Sequence, residues 1–158
     1  MWLLYLVISV AIILDRITKV MVINNMELFQ SIPFIKGVLS FTYVRNTGAA
    51  FSMLSSSNIL LGVVSCAVVI AGLIFIHYKK LDNKFLLIYA GMIIGGAIGN
   101  VIDRFVYQYV IDFLDVQFME FAVFNIADCF IVVGSILLAC YIMLLDGKKE
   151  EVNTGGKD

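Results

Sequence analysis

Four apolar stretches of membrane-spanning length dominate this 158-residue chain. A helix crossing a hydrocarbon core about 30 Å thick needs roughly 20 mostly apolar residues, and it must satisfy its own backbone polar groups. The stretches cover residues 1–23, 59–76, 85–102 and 124–145. The first is interrupted by DRITK at 15–19, and the second carries no charge. The third contains Asn100 and runs into Asp103 and Arg104; the fourth has Asn125 and Asp128 near its start. Composition agrees, with 61% of residues hydrophobic and 15% charged, against about half and a quarter in soluble domains. A disordered chain, a secreted disulfide scaffold and an ordinary soluble enzyme are excluded. The net charge of -1 offers no basic surface for nucleic acid.

The expected fold is an all-α integral membrane protein with four transmembrane helices. A small extracytoplasmic β-rich segment should lie between spans one and two, where LSFTYVRN roughly alternates apolar and polar residues. Residues 1–146 form one membrane domain, and 147–158 read as a disordered cytoplasmic tail. The first span lacks a basic n-region and a small-x-small cleavage site, so it is expected to be retained. Lysines set the orientation. KKLDNK between spans two and three holds three, and the tail holds three more, whereas residues 25–56 hold only Lys36 and Arg45. Both termini therefore face the cytoplasm. The aromatic-rich stretch 105–123 reads as an amphipathic interfacial segment on the outer side, able to move as a lid.

An ionisable group at membrane depth is costly, so it pairs, faces a cavity or performs a function. Asp15, Asp103, Asp112, Asp115 and Asp128 all fall toward the outer face. Asp15 and Lys19 are four apart, in the favourable order for an ion pair. Asp103, Arg104 and Asn100 form a second polar group that can hold the third span to its neighbours. Asp112 and Asp128 are different, because no lysine or arginine lies between Arg104 and Lys148 to pair with them. Two carboxylates brought together in a low-dielectric site share a proton, which makes one a base and the other an acid. A proton-coupled transporter is the rival reading of intramembrane carboxylates, and an assembly factor without activity is a third. Cys66, Cys129 and Cys140 lie within spans without metal-ligand spacing, and His77 is the only histidine, so no metal site is expected.

DRITK, RNTGAAFS, GGAIGNVIDR, VIDFLD and FNIAD, in this order across four spans, resemble the lipoprotein signal peptidases (signal peptidase II) of bacteria. The resemblance runs from Asp15 to about Gly134. It implies an aspartyl endopeptidase of the cytoplasmic membrane whose active site lies toward the outer face. Such an enzyme removes the signal peptide from diacylglyceryl-modified prolipoproteins by cutting before the lipid-modified cysteine. The resemblance makes Asp112 and Asp128 the catalytic dyad. Asn46, Asn100, Arg104 and Asn125 would line the site, and Asp15 and Asp103 would support it. It implies no metal or organic cofactor, a monomer among membrane lipids, prolipoprotein substrates and inhibition by globomycin.

Overall fold

The computed structural model describes residues 1–48 and 58–154, with side chains to Leu144. The helices are α1 (Trp2–Asn25), α2 (Asn58–Tyr78), α3 (Lys84–Val106) and α4 (Ile126–Thr154), and the strands are β1 (Ser31–Ile35), β2 (Leu39–Asn46) and β3 (Val110–Val116). Each helix begins within two residues of an apolar stretch read from the sequence. Of the expected tail, residues 147–154 continue α4 as helix, and 155–158 lie outside the described residues. So do Ala49–Ser52 of the RNTGAAFS motif.

α3 is the central helix and packs against the other three. Glycines on its two sides allow that. A Cβ on Gly95 would sit 2.7 Å from the Ala11 Cβ of α1, and one on Gly96 would run into the Ala127 carbonyl of α4. With only hydrogen at these positions the backbones meet, which gives dispersion contact where lipid supplies no hydrophobic drive between helices. α3 starts on a side-chain cap, Asn83 Oδ1 accepting from the backbone N–H groups of Phe85 and Leu86.

The molecule is inside-out relative to a soluble protein. Trp2 is 74% exposed and Val68 66%, whereas Asp15, Lys19 and Asp103 are completely buried. Only a hydrocarbon surround makes that distribution favourable. α2, α3 and the Ile126–Leu144 part of α4 are each long and apolar enough to cross a membrane. α1 is as long, at 24 residues, but Asp15, Arg16 and Lys19 interrupt it.

The small sheet is antiparallel in the order β1-β2-β3. The β1–β2 hairpin turns at Gly37, whose φ of 75° lies in the left-handed region that favours glycine. Pro33 sits on the edge strand β1, where a missing N–H is tolerated. The third strand is not where the sequence reading placed β structure: β3 comes from between α3 and α4, inside the segment expected to be an amphipathic stretch. Its first four residues are all buried, so VIDF shows no inward–outward alternation to betray a strand. A strand hydrogen-bonded to β2 and carrying Asp112 does not swing as a lid across it. Of the residues after the strand, Phe121, Ala122 and Val123 line the cavity beside Asp112.

Gly96→Val is expected to destabilise the protein by about 1–3 kcal/mol or more, because its side chain meets backbone instead of a side chain that can move. Thermal melting in detergent and abundance in membranes measure this. Gly72→Ala, whose Cβ would touch only Ile94 Cδ1 at 3.9 Å, should leave both unchanged.

Candidate active site

The site is built on a knot of charge. The Lys19 ammonium lies 2.9 Å from Asp15 and 2.8 Å from Asp103, and Arg16 reaches Asp103 from the other side at 2.5 Å. Each aspartate then spends an oxygen on a distant backbone N–H. Asp15 accepts from Ala127 at 3.1 Å, and Asp103 accepts from Ile111 at 3.2 Å. Ala127 precedes Asp128 and Ile111 precedes Asp112, so the two supporting aspartates hold the chain next to the two candidate catalytic ones. The expected Asp15–Lys19 pair is present. The expected grouping of Asp103 with its neighbour Arg104 is not, since successive helical residues point about 100° apart. Asp103 turns to α1, and Arg104 turns to the cavity.

Asn125 and Asp128 open α4 as a reciprocal cap. Asn125 Oδ1 accepts from the Asp128 N–H at 3.0 Å, and Asp128 Oδ2 accepts from the Asn125 N–H at 3.2 Å. This is the capping-box spacing with Asp in place of Glu. It fixes both side chains and puts a carboxylate in the first turn of a helix, where the dipole favours negative charge.

Four amides surround the two carboxyls with N–H donors. Asp112 Oδ1 accepts from Asn125 Nδ2 at 2.6 Å and Oδ2 from Asn46 Nδ2 at 2.9 Å. Asp128 Oδ1 accepts from Asn100 Nδ2 at 2.7 Å, its other oxygen being held by the Asn125 backbone. Asn46 occupies the end of β2 and Asp112 the middle of β3, brought together by the antiparallel register that pairs Val44 with Asp112 and Asn46 with Val110. Asn125 is fully buried and Asp112 is 2% exposed.

Both carboxyls line one cavity of about 520 Å³, together with Asn46, Asn100, Arg104 and Cys129. Val132, Val133 and the 121–124 segment form an apolar wall. Arg104 donates to the Asn100 carbonyl at 3.4 Å and lies within Coulombic reach of both Asp128 and Asp112. The sequence offered these aspartates no neighbouring cation, but the fold supplies one from α3. Lys19 joins Asn100 to the buried knot at 3.0 Å, beyond the pairing with Asp15 that the sequence spacing predicts. Its i+4 spacing was visible, but its contact with the third span was not. Asp115 stays out of the site and accepts from Thr42 at 2.6 Å on the sheet. Among the described residues, no three His, Cys, Asp or Glu side chains are grouped as a metal site would require.

Burial is the main reason the Asp112 carboxyl is pushed up from 3.8 to about 7, and the neighbouring Asp128 adds to it; the hydrogen bonds from Asn46 and Asn125 oppose the rise. Near neutral pH it can hold or release a proton.

Comparison with known proteins identifies the arrangement. Residues 7–144 match the family model described as Signal peptidase (SPase) II. The lipoprotein signal peptidase of Halothermothrix orenii is 42% identical over 138 residues, covering 87% of this chain and 93% of that relative. The lipoprotein signal peptidase of Bacillus velezensis is 41% identical over 149 residues, covering 93% and 97%. Two solved structures described as bacterial membrane enzymes also superpose on the fold. One gives a TM-score of 0.85 at 29% identity, covering 98% of this chain and 93% of its own. The other gives 0.81 at 30% identity, covering 88% and 91%. The fold and the relatives together define a bacterial membrane peptidase. The chain belongs to the signal peptidase II family.

A carboxyl that keeps its proton longer in the folded chain than in the unfolded one costs stability as it ionises. For Asp112 the cost is absent below about pH 4, grows as pH rises and is complete above about 7. Asp112→Asn removes it. Melting temperature in detergent should therefore fall less steeply between about pH 5 and about pH 8 in Asp112→Asn than in the parent. Parallel slopes would contradict the assignment.

Proposed function

We propose that this protein is an aspartyl endopeptidase that removes the signal peptide from diacylglyceryl-modified prolipoproteins by cutting before the lipid-modified cysteine. The observation that carries the proposal is the pair of carboxyls, Asp112 and Asp128, held by amide donors on the wall of one largely apolar cavity. Membership of the signal peptidase II family and the names of the relatives support the substrate class.

Asp128 is the base and Asp112 the acid. Asp128 lies in the first turn of α4, and each of its oxygens accepts an N–H, so its charge is supported by helix dipole and hydrogen bonds together. Asp112 is deeply buried and titrates near neutrality. Water attacks the scissile carbonyl carbon and gives one proton to Asp128, while Asp112 gives its proton to the carbonyl oxygen. As the hydrated intermediate collapses, the Asp128 proton passes to the leaving nitrogen and Asp112 recovers a proton from a hydroxyl. The charge on Arg104 is available to offset negative charge on the oxygens of the intermediate.

On this reading α1 is a fourth span, with its charges neutralised inside the protein. Both termini and the KKLDNK loop face the cytoplasm, and the sheet lies at the outer surface. The exposed apolar side chains of the hairpin, among them Phe29, Phe34 and Ile35, suit a headgroup layer that also holds the substrate's acylated cysteine. The enzyme acts as a monomer without metal or organic cofactor, and globomycin-type inhibitors occupy the carboxyl pair. The transporter alternative finds no support. The second cavity, about 470 Å³ between α2, α3 and α4, is lined entirely by apolar residues and glycine, so it carries no proton relay.

Asp112→Asn and Asp128→Asn should each lower cleavage of a diacylglyceryl-modified prolipoprotein by at least about 100-fold, with normal abundance in the membrane. A gel assay separating precursor from product reads this. Parental rates in either variant would sink the proposal.

A further inference from the structure

The Lys19 ammonium has three acceptors, one for each of its hydrogens: Asp15 at 2.9 Å, Asp103 at 2.8 Å and Asn100 Oδ1 at 3.0 Å. An ammonium donates and never accepts, so it decides which end of the Asn100 amide faces it. The oxygen turns toward Lys19, and the NH₂ is left facing Asp128 at 2.7 Å. Asn125 Nδ2 donates to the same Asn100 oxygen at 3.1 Å, which requires the same orientation. Asn125 is pinned in its turn by the Asp128 backbone N–H, again a group that can only donate. Turned over, Asn100 would set an oxygen lone pair against Asp128, an arrangement that suits only a protonated carboxyl.

We propose that Lys19 is a positioning residue for the cleavage reaction: by holding the Asn100 oxygen it keeps the amide N–H aimed at Asp128 and reserves that carboxylate as the water-activating base. Lys19 touches neither catalytic aspartate. Its charge acts on Asp112 through space, and its hold on Asp128 passes through one amide, over about two hydrogen-bond lengths. This role rests on the aspartyl-peptidase reading and deepens it. The other charged group facing the pair is Arg104 from α3, while Asp15 from α1 and Asp103 from α3 face Lys19 itself. β2 contributes the neutral Asn46. None of these donates to the Asn100 Oδ1; its other donor is the neutral Asn125 Nδ2 at 3.1 Å, so Lys19 supplies the charged half of a hold that Asn125 shares.

Lys19 also neutralises Asp15 and Asp103, so replacing it alone leaves buried carboxylates short of a partner and destabilises the fold for that reason. The test removes two opposite charges together. Asp15→Asn with Lys19→Met leaves the Arg16–Asp103 pair in place. In purified enzyme acting on a diacylglyceryl-modified prolipoprotein, kcat should fall roughly 10- to 100-fold, the effect of removing an outer partner that orients a reacting group. KM should stay within about twofold. The same two changes on an Asn100→Leu background should cost less than about twofold more in kcat, because the relay is already broken. A purely structural Lys19 would give parental kcat with a lower melting temperature, or losses that multiply on the Asn100→Leu background, and either result overturns the proposal. If the charge-pair variant does not fold, Asn100→Ser keeps the knot intact and shortens the bridge. It should show the same loss of kcat at unchanged KM, and parental kcat there also overturns the proposal. Asp112→Asn and Asp128→Asn run alongside. If they retain activity the peptidase reading itself has failed; if they lose it while the Lys19 and Asn100 variants keep it, only the positioning role has.

Discussion

A lysine ammonium buried without water must be surrounded by acceptors or it cannot remain charged, and the structure around Lys19 meets that requirement. Its partners come from α1 and α3. Those partners in turn fix α4 through the Ala127 N–H and β3 through the Ile111 N–H. In a bilayer, apolar surfaces gain little by choosing each other over lipid, so directional polar contacts and close backbone packing determine which helix meets which. The glycines of α3 permit the approach, and the charge knot fixes the register. Breaking a buried pair of this kind by removing one partner costs about 3–5 kcal/mol, enough to make the knot indispensable to a marginally stable protein.

The same knot shapes the candidate site. Its two carboxylates are paired with Lys19 and Arg16, and they leave the candidate catalytic carboxyls to a second layer of neutral amides. Asp112 is therefore stabilised by dipoles instead of a full cation at hydrogen-bond distance, and burial leaves it titrating near neutrality. A direct ion pair would have kept it ionised near neutral pH. Separating a structural charge layer from an amide layer lets one small membrane domain hold three buried aspartates, Asp15, Asp103 and Asp112, in two kinds of surroundings.

Much of this was legible in the sequence, because helices in hydrocarbon declare themselves by length and the aspartates within them by cost. DRITK announced an ion pair by its spacing, and the family motifs pointed to every amide now seen around Asp112 and Asp128. FNIAD also carried a cap signal, Asn125 followed three residues later by Asp128, which is a purely local interaction. What stayed hidden was non-local. β3 reads as an apolar run because its inner residues are covered on both faces, and its partner β2 lies more than sixty residues earlier, as the Asn46–Asp112 contact does. The pairing of Asp103 with α1 instead of Arg104, and the turn of Arg104 toward the cavity, follow from helix rotation about contacts that no local pattern encodes.

The hydrogen bond from the Ala127 N–H to Asp15 spans 112 residues, and it has a meaning for how the protein is made. During synthesis, α1, the hairpin, α2, α3 and β3 can all be in the membrane while Asp112 has no partner carboxyl and Asn100 no Asp128 to face. The pair exists only after the first turn of α4 has docked on α1. A nascent chain is therefore a membrane protein well before Asp112 and Asp128 line a common cavity.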